Sequence, residues 1–202
     1  MWALIEDNAI VKMINNPKGM VIGDTRYSRN IFSFRWTNEE REAIGLYEVV
    51  FDNSNKKDEQ WYINTNQTFA FADDTVTASY GSATPKAHAD TLFTAQDEID
   101  GKGTEGEVNA RGLKYNLIQK VKQQAAGLLQ NTDWYITRKS DAGTEVPSSI
   151  TTYRASVRTK ADEMETAITN ASNTPALETL YTYTITDGVQ SRPLGEFPTL
   201  ES

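Results

Sequence analysis

Hydrophobic residues follow two different periods along this chain. In the N-terminal part they alternate with polar residues or form short runs, as expected of strands whose side chains point to opposite faces in turn. Trp2-Ala3-Leu4-Ile5 and Ile10-Val11-Lys12-Met13-Ile14 flank Asp7-Asn8 and predict a hairpin. Asn15 to Gly19 is turn chemistry around Pro17, and Met20-Val21-Ile22 is a short apolar run ended by Gly23-Asp24. Phe32, Phe34 and Trp36 stand two apart within residues 29–36, which predicts a strand with all three on one face. Thr37 with Glu40 matches a capping box opening a short helix, and Gly45 is placed to close it. Leu46 to Phe51 predicts a further strand, and Asp52 to Gln60 a polar loop. Trp61–Asn64, Thr68–Phe71 and Thr75–Tyr80 then predict a meander, with Asp73-Asp74 as one of its turns.

The second period is helical. Leu113, Leu117, Val121, Ala125 and Leu128 recur every three or four residues and place a helix over about Val108 to Gln130. Ile150, Tyr153, Val157, Ala161, Met164 and Ile168 repeat the pattern in a second helix entered through Pro147-Ser148-Ser149. Thr132 to Ile136 and the turn-like Ser140 to Thr144 lie between them, so the two stripes should pack as an antiparallel hairpin. Pro175 opens a last short helix to about Leu180, and Thr182 to Thr186 reads as an edge strand. The fold class is therefore α+β: an antiparallel β-rich domain over residues 1–90, an acidic glycine-rich linker over 91–107 with a short helix near Asp90 to Glu98, a helical hairpin over 108–190 and an extended tail over 191–202.

Composition narrows the function classes. The 202 residues carry 20 Lys+Arg against 28 Asp+Glu, a net charge of −8, which argues against a nucleic-acid partner needing a basic face. No cysteine and one histidine exclude disulfides, thiolate zinc sites and His-rich metal centres. No apolar run approaches the length of a membrane helix, and Met1 to Asp7 does not read as a signal peptide, so synthesis and folding in a cytoplasm are expected. Hydrophobic content of 38% is low beside the roughly 45–50% usual for globular domains, which suggests a chain that completes its stability through partners.

The candidate chemistry is thin. Gly101 to Gly106 spells GxGxxG, but the preceding Asp97-Glu98-Ile99-Asp100 would repel a phosphate, so a linker is the better reading. Gln96, Glu98, Asp100, Gly101 and Glu107 have EF-hand spacing, with a neutral residue where the first carboxylate belongs. His88 lies near Asp90, yet no GxSxG elbow exists to supply a nucleophile. The acid pairs Asp73/Asp74 and Glu163/Glu165 read as ordinary solvated charges. No catalytic, cofactor-binding or metal-binding residue is assigned, and the chain reads as a non-enzyme. The aromatics of the β part read mostly as core, with Trp36, Trp61 and Tyr80 as candidates to stack on sugar rings.

One segment carries a resemblance. Ala126-Gly127-Leu128-Leu129-Gln130-Asn131-Thr132-Asp133-Trp134 is followed by Pro147 and by Thr152-Tyr153-Arg154-Ala155-Ser156-Val157-Arg158. A helix ending in Leu-Leu, then Thr-Asp-Trp, then a Pro-led helix with Tyr-Arg and a second Arg four residues on, resembles the tail or tail-fibre assembly chaperone family of tailed bacteriophages. The β part looks like domains in virion structural proteins of marine and cyanobacterial tailed phages. The resemblance implies a role in tail or fibre morphogenesis through contacts with other tail or fibre subunits. The protein would be oligomeric in the assembly and located in the virion tail after synthesis in the host cytoplasm. A transient assembly chaperone and a carbohydrate-binding module for host recognition are the alternatives. Thr132, Asp133, Trp134, Tyr153, Arg154 and Arg158 are the candidate motif, serving either a partner or the hairpin itself. Thr132 is expected to cap a turn, Asp133 to accept backbone amides, Trp134 to close the end of the stripe, and Arg154 and Arg158 to pair with carboxylates.

Overall fold

The structure is a computed structural model and describes residues 1–65 and 67–200. Its strands and helices place the chain in the α+β class, with a β-rich N-terminal region followed by helices. The chain divides into two compact units, Met1–Thr84 and Pro85–Ser202. The sequence-based boundary lies a few residues later, at Asp90.

In the first unit β1 (Trp2–Glu6) and β2 (Ala9–Ile14) form the expected hairpin, pairing Trp2 with Ile14 and Glu6 with Ala9. Asp7 and Asn8 both take positive φ, 49° and 58°, the paired left-handed turn whose twist matches that of the strands. β3 (Met20–Ile22) and β4 (Thr25–Tyr27) make a small hairpin. A 3-10 turn (Arg29–Phe32) and α1 (Asn38–Glu42) precede β5 (Leu46–Asp52). β6 (Tyr62–Ile63), β7 (Thr68–Ala72), β8 (Thr75–Ser79) and β9 (Thr84–Pro85) follow.

The main sheet has the order β2-β1-β5-β8-β7. All its pairings are antiparallel except β5 with β8, where Val49 lies beside Val76 and Phe51 beside Ala78. β7 and β8 are joined through Asp73 and Asp74, again at positive φ, 47° and 54°. β6 stands apart from this sheet, so the expected three-strand meander is a two-strand hairpin with a separate short strand before it. The edge strands β2 and β7 approach each other, and the sheet curls around Ala3, Ile5, Val49, Val76 and Ala78, with Tyr47 edge-on to Phe71.

A second cluster of Ile14, Ile31 and Leu46 lies under the 3-10 turn, flanked by Trp2, Tyr27, Phe32 and Trp36. Here the expected strand over residues 29–36 is absent. Ser28 accepts the Asn30 amide, and the Ser33 hydroxyl donates to the Asn30 carbonyl, which winds the chain into a turn. The buried Arg41 takes the outward carbonyls: its Nε donates to Ile31 O at 2.8 Å, its Nη2 to Ser33 O at 2.5 Å and its Nη1 to Asn38 at 3.0 Å, with the guanidinium 4.8 Å from the Trp2 ring centre. Phe32 and Trp36 pack inward, and Phe34, left on the other side of the turn, is 95% exposed. The capping box of Thr37 and Glu40 forms in full. Gly45, at φ +79°, accepts the Ile5 amide at its carbonyl, and the two backbones run so close that a Cβ there would lie 2.5 Å from Ile5 O.

In the second unit β10 (Thr91–Leu92) pairs with β11 (Val108–Ala110), and α2 (Ala95–Ile99) lies between them. The stretch expected to be a linker with a short helix near Asp90 to Glu98 has its helix a few residues later and is otherwise folded, held by a second capping box of Thr94 with Asp97 and by Phe93, whose ring fills the space where a Gly103 side chain would stand. α3 (Leu113–Gln130) begins five residues later than its stripe suggested, because Val108 to Ala110 is taken up in β11. α4 (Asp133–Ala142), α5 (Ser148–Asn170) and α6 (Thr174–Tyr181) follow. β12 (Thr184–Thr186) and β13 (Val189–Ser191) then form an exposed hairpin, and no helix or strand is found among described residues beyond Ser191. Leu194 in that tail is buried, its amide donating to Leu180 O.

α3 and α5 pack along their predicted stripes and run antiparallel, since Lys114 reaches Thr169, Lys122 pairs with Glu165 and Arg154 reaches Leu129. The connection between them contains α4, a ten-residue helix where turn and loop were expected. Gly143, at φ 67°, ends it in the left-handed conformation. The start of α3 has no side-chain cap. The carbonyls of Ala87 and His88 accept the Leu113 and Lys114 amides, and Asp90 accepts the Gly112 amide at 2.8 Å. Gly112 is required there, since a Cβ would lie 2.3 Å from Ala89.

Candidate functional site

Three of the six motif residues meet where α3 ends, α4 begins and α5 passes. The last carbonyls of a helix lack intrahelical donors and carry the negative end of its dipole, so a cation is favoured there. Arg154, on the buried face of α5 and 8% exposed, supplies it. Its Nη1 lies 2.8 Å from Leu129 O, 2.6 Å from the Thr132 hydroxyl and 2.8 Å from a carboxylate oxygen of Asp133. The Thr132 hydroxyl in turn donates to Leu129 O at 2.9 Å. Thr132 is fully buried, and Tyr153, the residue before Arg154, is buried as well. At the far end Lys114 donates to the Thr169 carbonyl at 2.7 Å, so each long helix has its C-terminal carbonyls held by a cation from the other.

The roles differ from those expected in four respects. Thr132 does not cap α4 with its side chain; its hydroxyl is turned back to the end of α3. Among the described residues Asp133 accepts no backbone amide; it pairs with Arg154, one of the options expected for that arginine. Trp134 does not close the stripe: it is 51% exposed, because as the second residue of α4 it points away from the α3–α5 seam. Arg158 is exposed and donates at 3.4 Å to Arg154 O, a longer contact than any in the clasp.

Trp134 belongs to a second grouping, found only once α4 is recognised as helical. Its ring lies 3.8 Å from that of Tyr135, and the guanidinium of Arg138, one turn on, lies 4.7 Å from the Trp134 ring centre and 5.6 Å from that of Tyr135. Ile136 beside them is 45% exposed. The i, i+4 spacing of Trp134 and Arg138 is legible once a helix is drawn, but the neighbouring polar residues hide the helix.

The other candidates resolve individually. GxGxxG follows a helix and leads into β11, the reverse of the strand-then-helix order that cradles a phosphate. The acids around it are engaged: Asp97 caps α2 and meets Lys102, Asp100 pairs with Lys102 at 2.9 Å and accepts from Gln96, and Glu98 accepts the Glu105 amide. The amide and hydroxyl of Thr94 hold the Asp97 carboxyl below its ordinary pKa, with Lys102 adding to the effect. No cluster of three or more His, Cys, Asp or Glu able to hold a metal occurs among the described residues. Asp90 points to Gly112 and Arg111 rather than to His88, and its pKa is lowered by the Gly112 amide and then by Arg111. Of the candidate sugar platforms, Trp61 is 3% exposed, Trp36 packs edge-on to Tyr27, and Lys56 lies over the ring of half-buried Tyr80. Among the described residues no helix is long and apolar enough to cross a membrane. No family model, curated protein or solved structure matches the chain.

Proposed function

We propose that this chain is a non-enzymatic component of a bacteriophage tail, a fibre- or baseplate-associated adaptor that works through contacts with other tail subunits. The observation that carries the reading is that Thr132, Asp133 and Arg154, which carry the resemblance to tail and tail-fibre assembly chaperones, act as a unit in one clasp. A second support is the surface. Phe34, Ile99, Ile185 and Val189 are between 66% and 95% exposed, each a large apolar side chain that a partner subunit would cover. The test is mass spectrometry of purified particles of the encoding phage: the protein is expected at a fixed ratio to tail subunits, and its absence from mature particles rejects the reading.

The exposed Trp134 and Ile136 on α4 favour a second reading, a transient chaperone that shields fibre chains until they assemble. Co-expression with the fibre protein separates the two, since fibre solubility indifferent to this protein rejects the chaperone role.

A further inference from the structure

We infer that α4 carries a recognition site for a carboxylate on an acidic peptide segment of a partner chain, with Arg138 as the recognising group and Trp134 and Tyr135 as its platform. The charges around it set Arg138 apart. Arg154 meets Asp133 at 2.8 Å and Lys139 meets Glu145 at 2.6 Å, so the adjacent cations are paired. Among the described residues Arg138 has neither a hydrogen bond nor an ion pair, and its Nε is buried without an acceptor. A buried donor left unmet is destabilising, so the geometry persists only if something offsets that cost.

The aromatic platform offsets part of it by cation–π attraction and fixes the guanidinium plane before any ligand arrives. With Nε buried, the two terminal nitrogens present a fixed planar pair of N–H donors that matches a carboxylate, and little side-chain freedom remains to be lost on binding. The half-exposed indole of Trp134 and the exposed Ile136 give the flanking residues of a peptide an apolar surface. A free small carboxylate would use the fork alone. The complementarity is local: among the described residues the Arg138 side chain forms no ion pair, which leaves this cation for a carboxylate from outside.

The site is separable from tail membership: a chain missing from particles that still binds acidic peptide keeps this inference and loses the other reading. The test uses the full chain with an acetylated, amidated Glu-Gly-Glu-Leu-Glu-Gly peptide, its Lys-for-Glu counterpart and free glutamate as probes. Binding is followed by calorimetry and by the NMR signal of the Arg138 Nε–H. The expected result is binding of the acidic peptide only, weakened at least tenfold by Arg138→Ala and by Arg138→Lys, which keeps the charge and loses the fork. Lys139→Ala should leave affinity within twofold, and the Nε–H resonance should shift on saturation. Thermal unfolding of each variant identifies any that fails to fold, and Arg138→Lys with the resonance shift then carries the test. The inference is overturned by no binding at millimolar peptide, by equal losses in Arg138→Ala and Lys139→Ala, by an unmoved resonance, or by free glutamate binding as well as the peptide.

Discussion

Each unit is organised by one buried arginine, and the two arginines work in different surroundings. Arg41 in the β unit meets only neutral acceptors, the carbonyls of Ile31 and Ser33 and the amide of Asn38, and lies against Trp2. Arg154 in the helical unit meets a carbonyl and a hydroxyl as well, but adds the carboxylate of Asp133, whose side chain is 58% exposed. Both arginines replace a missing backbone donor. Arg41 serves carbonyls in a turn that joins no sheet, and Arg154 serves the end of a helix. The guanidinium is used here for its fan of donors more than for its charge, since Arg41 is as buried as Arg154 and its hydrogen bonds go to no carboxylate.

Removing either arginine tests that lesson, and the larger loss belongs to Arg41. Arg41→Ala strands two carbonyls and opens a void beneath Trp2, so about 3–4 kcal/mol of stability should be lost. Urea unfolding measures the loss, and hydrogen exchange should locate it in residues 28–46. Arg154→Ala should cost about 2–3 kcal/mol, less because the Thr132 hydroxyl still serves Leu129 O. Arg154→Met of similar length should recover little of it. If charge were the main contribution, Asp133→Asn would cost as much as Arg154→Ala; with the carboxylate half in water, about 0.5 kcal/mol is expected, and the difference should vanish in high salt. Lys114→Ala, at the exposed end of the hairpin, should cost under about 1 kcal/mol and fray only the end of α5. The smallest effect is one of pH. The fold lowers the Asp90 pKa, so its contribution is complete above the ordinary carboxylate value and is lost as pH falls through the lowered one. Amide exchange at Gly112 to Lys114 should quicken in that acid range, and Asp90→Asn should remove the pH dependence.

These interactions explain what was legible in the sequence. Local chemistry was: the Asp7-Asn8 and Asp73-Asp74 turns, the Thr37–Glu40 box and the stripes of α3 and α5 all follow from residues within one turn of one another. Residues 29–36 were misread because spacing two in Phe32, Phe34 and Trp36 implies a strand only if a neighbouring strand takes the carbonyls, and Arg41 takes them instead. The Gly-rich stretch was misread as a linker because Phe93 packing on Gly103 is a contact that no pattern of adjacent residues announces. At the candidate site the pairing of Asp133 with Arg154 was among the expected options. The outward position of Trp134 depended on α4, a helix with no apolar stripe of its own to announce it.

One feature of the sheet bears on how the molecule comes together in time. β5 has no sequence neighbour beside it: β1 on one side and β8 on the other both arrive from far along the chain. The two hairpins can close within microseconds, whereas the seams of β5 must first confine long stretches of chain. The central strand is thus expected to be enclosed last, with the seams at Leu46 and Val49 closing after either hairpin.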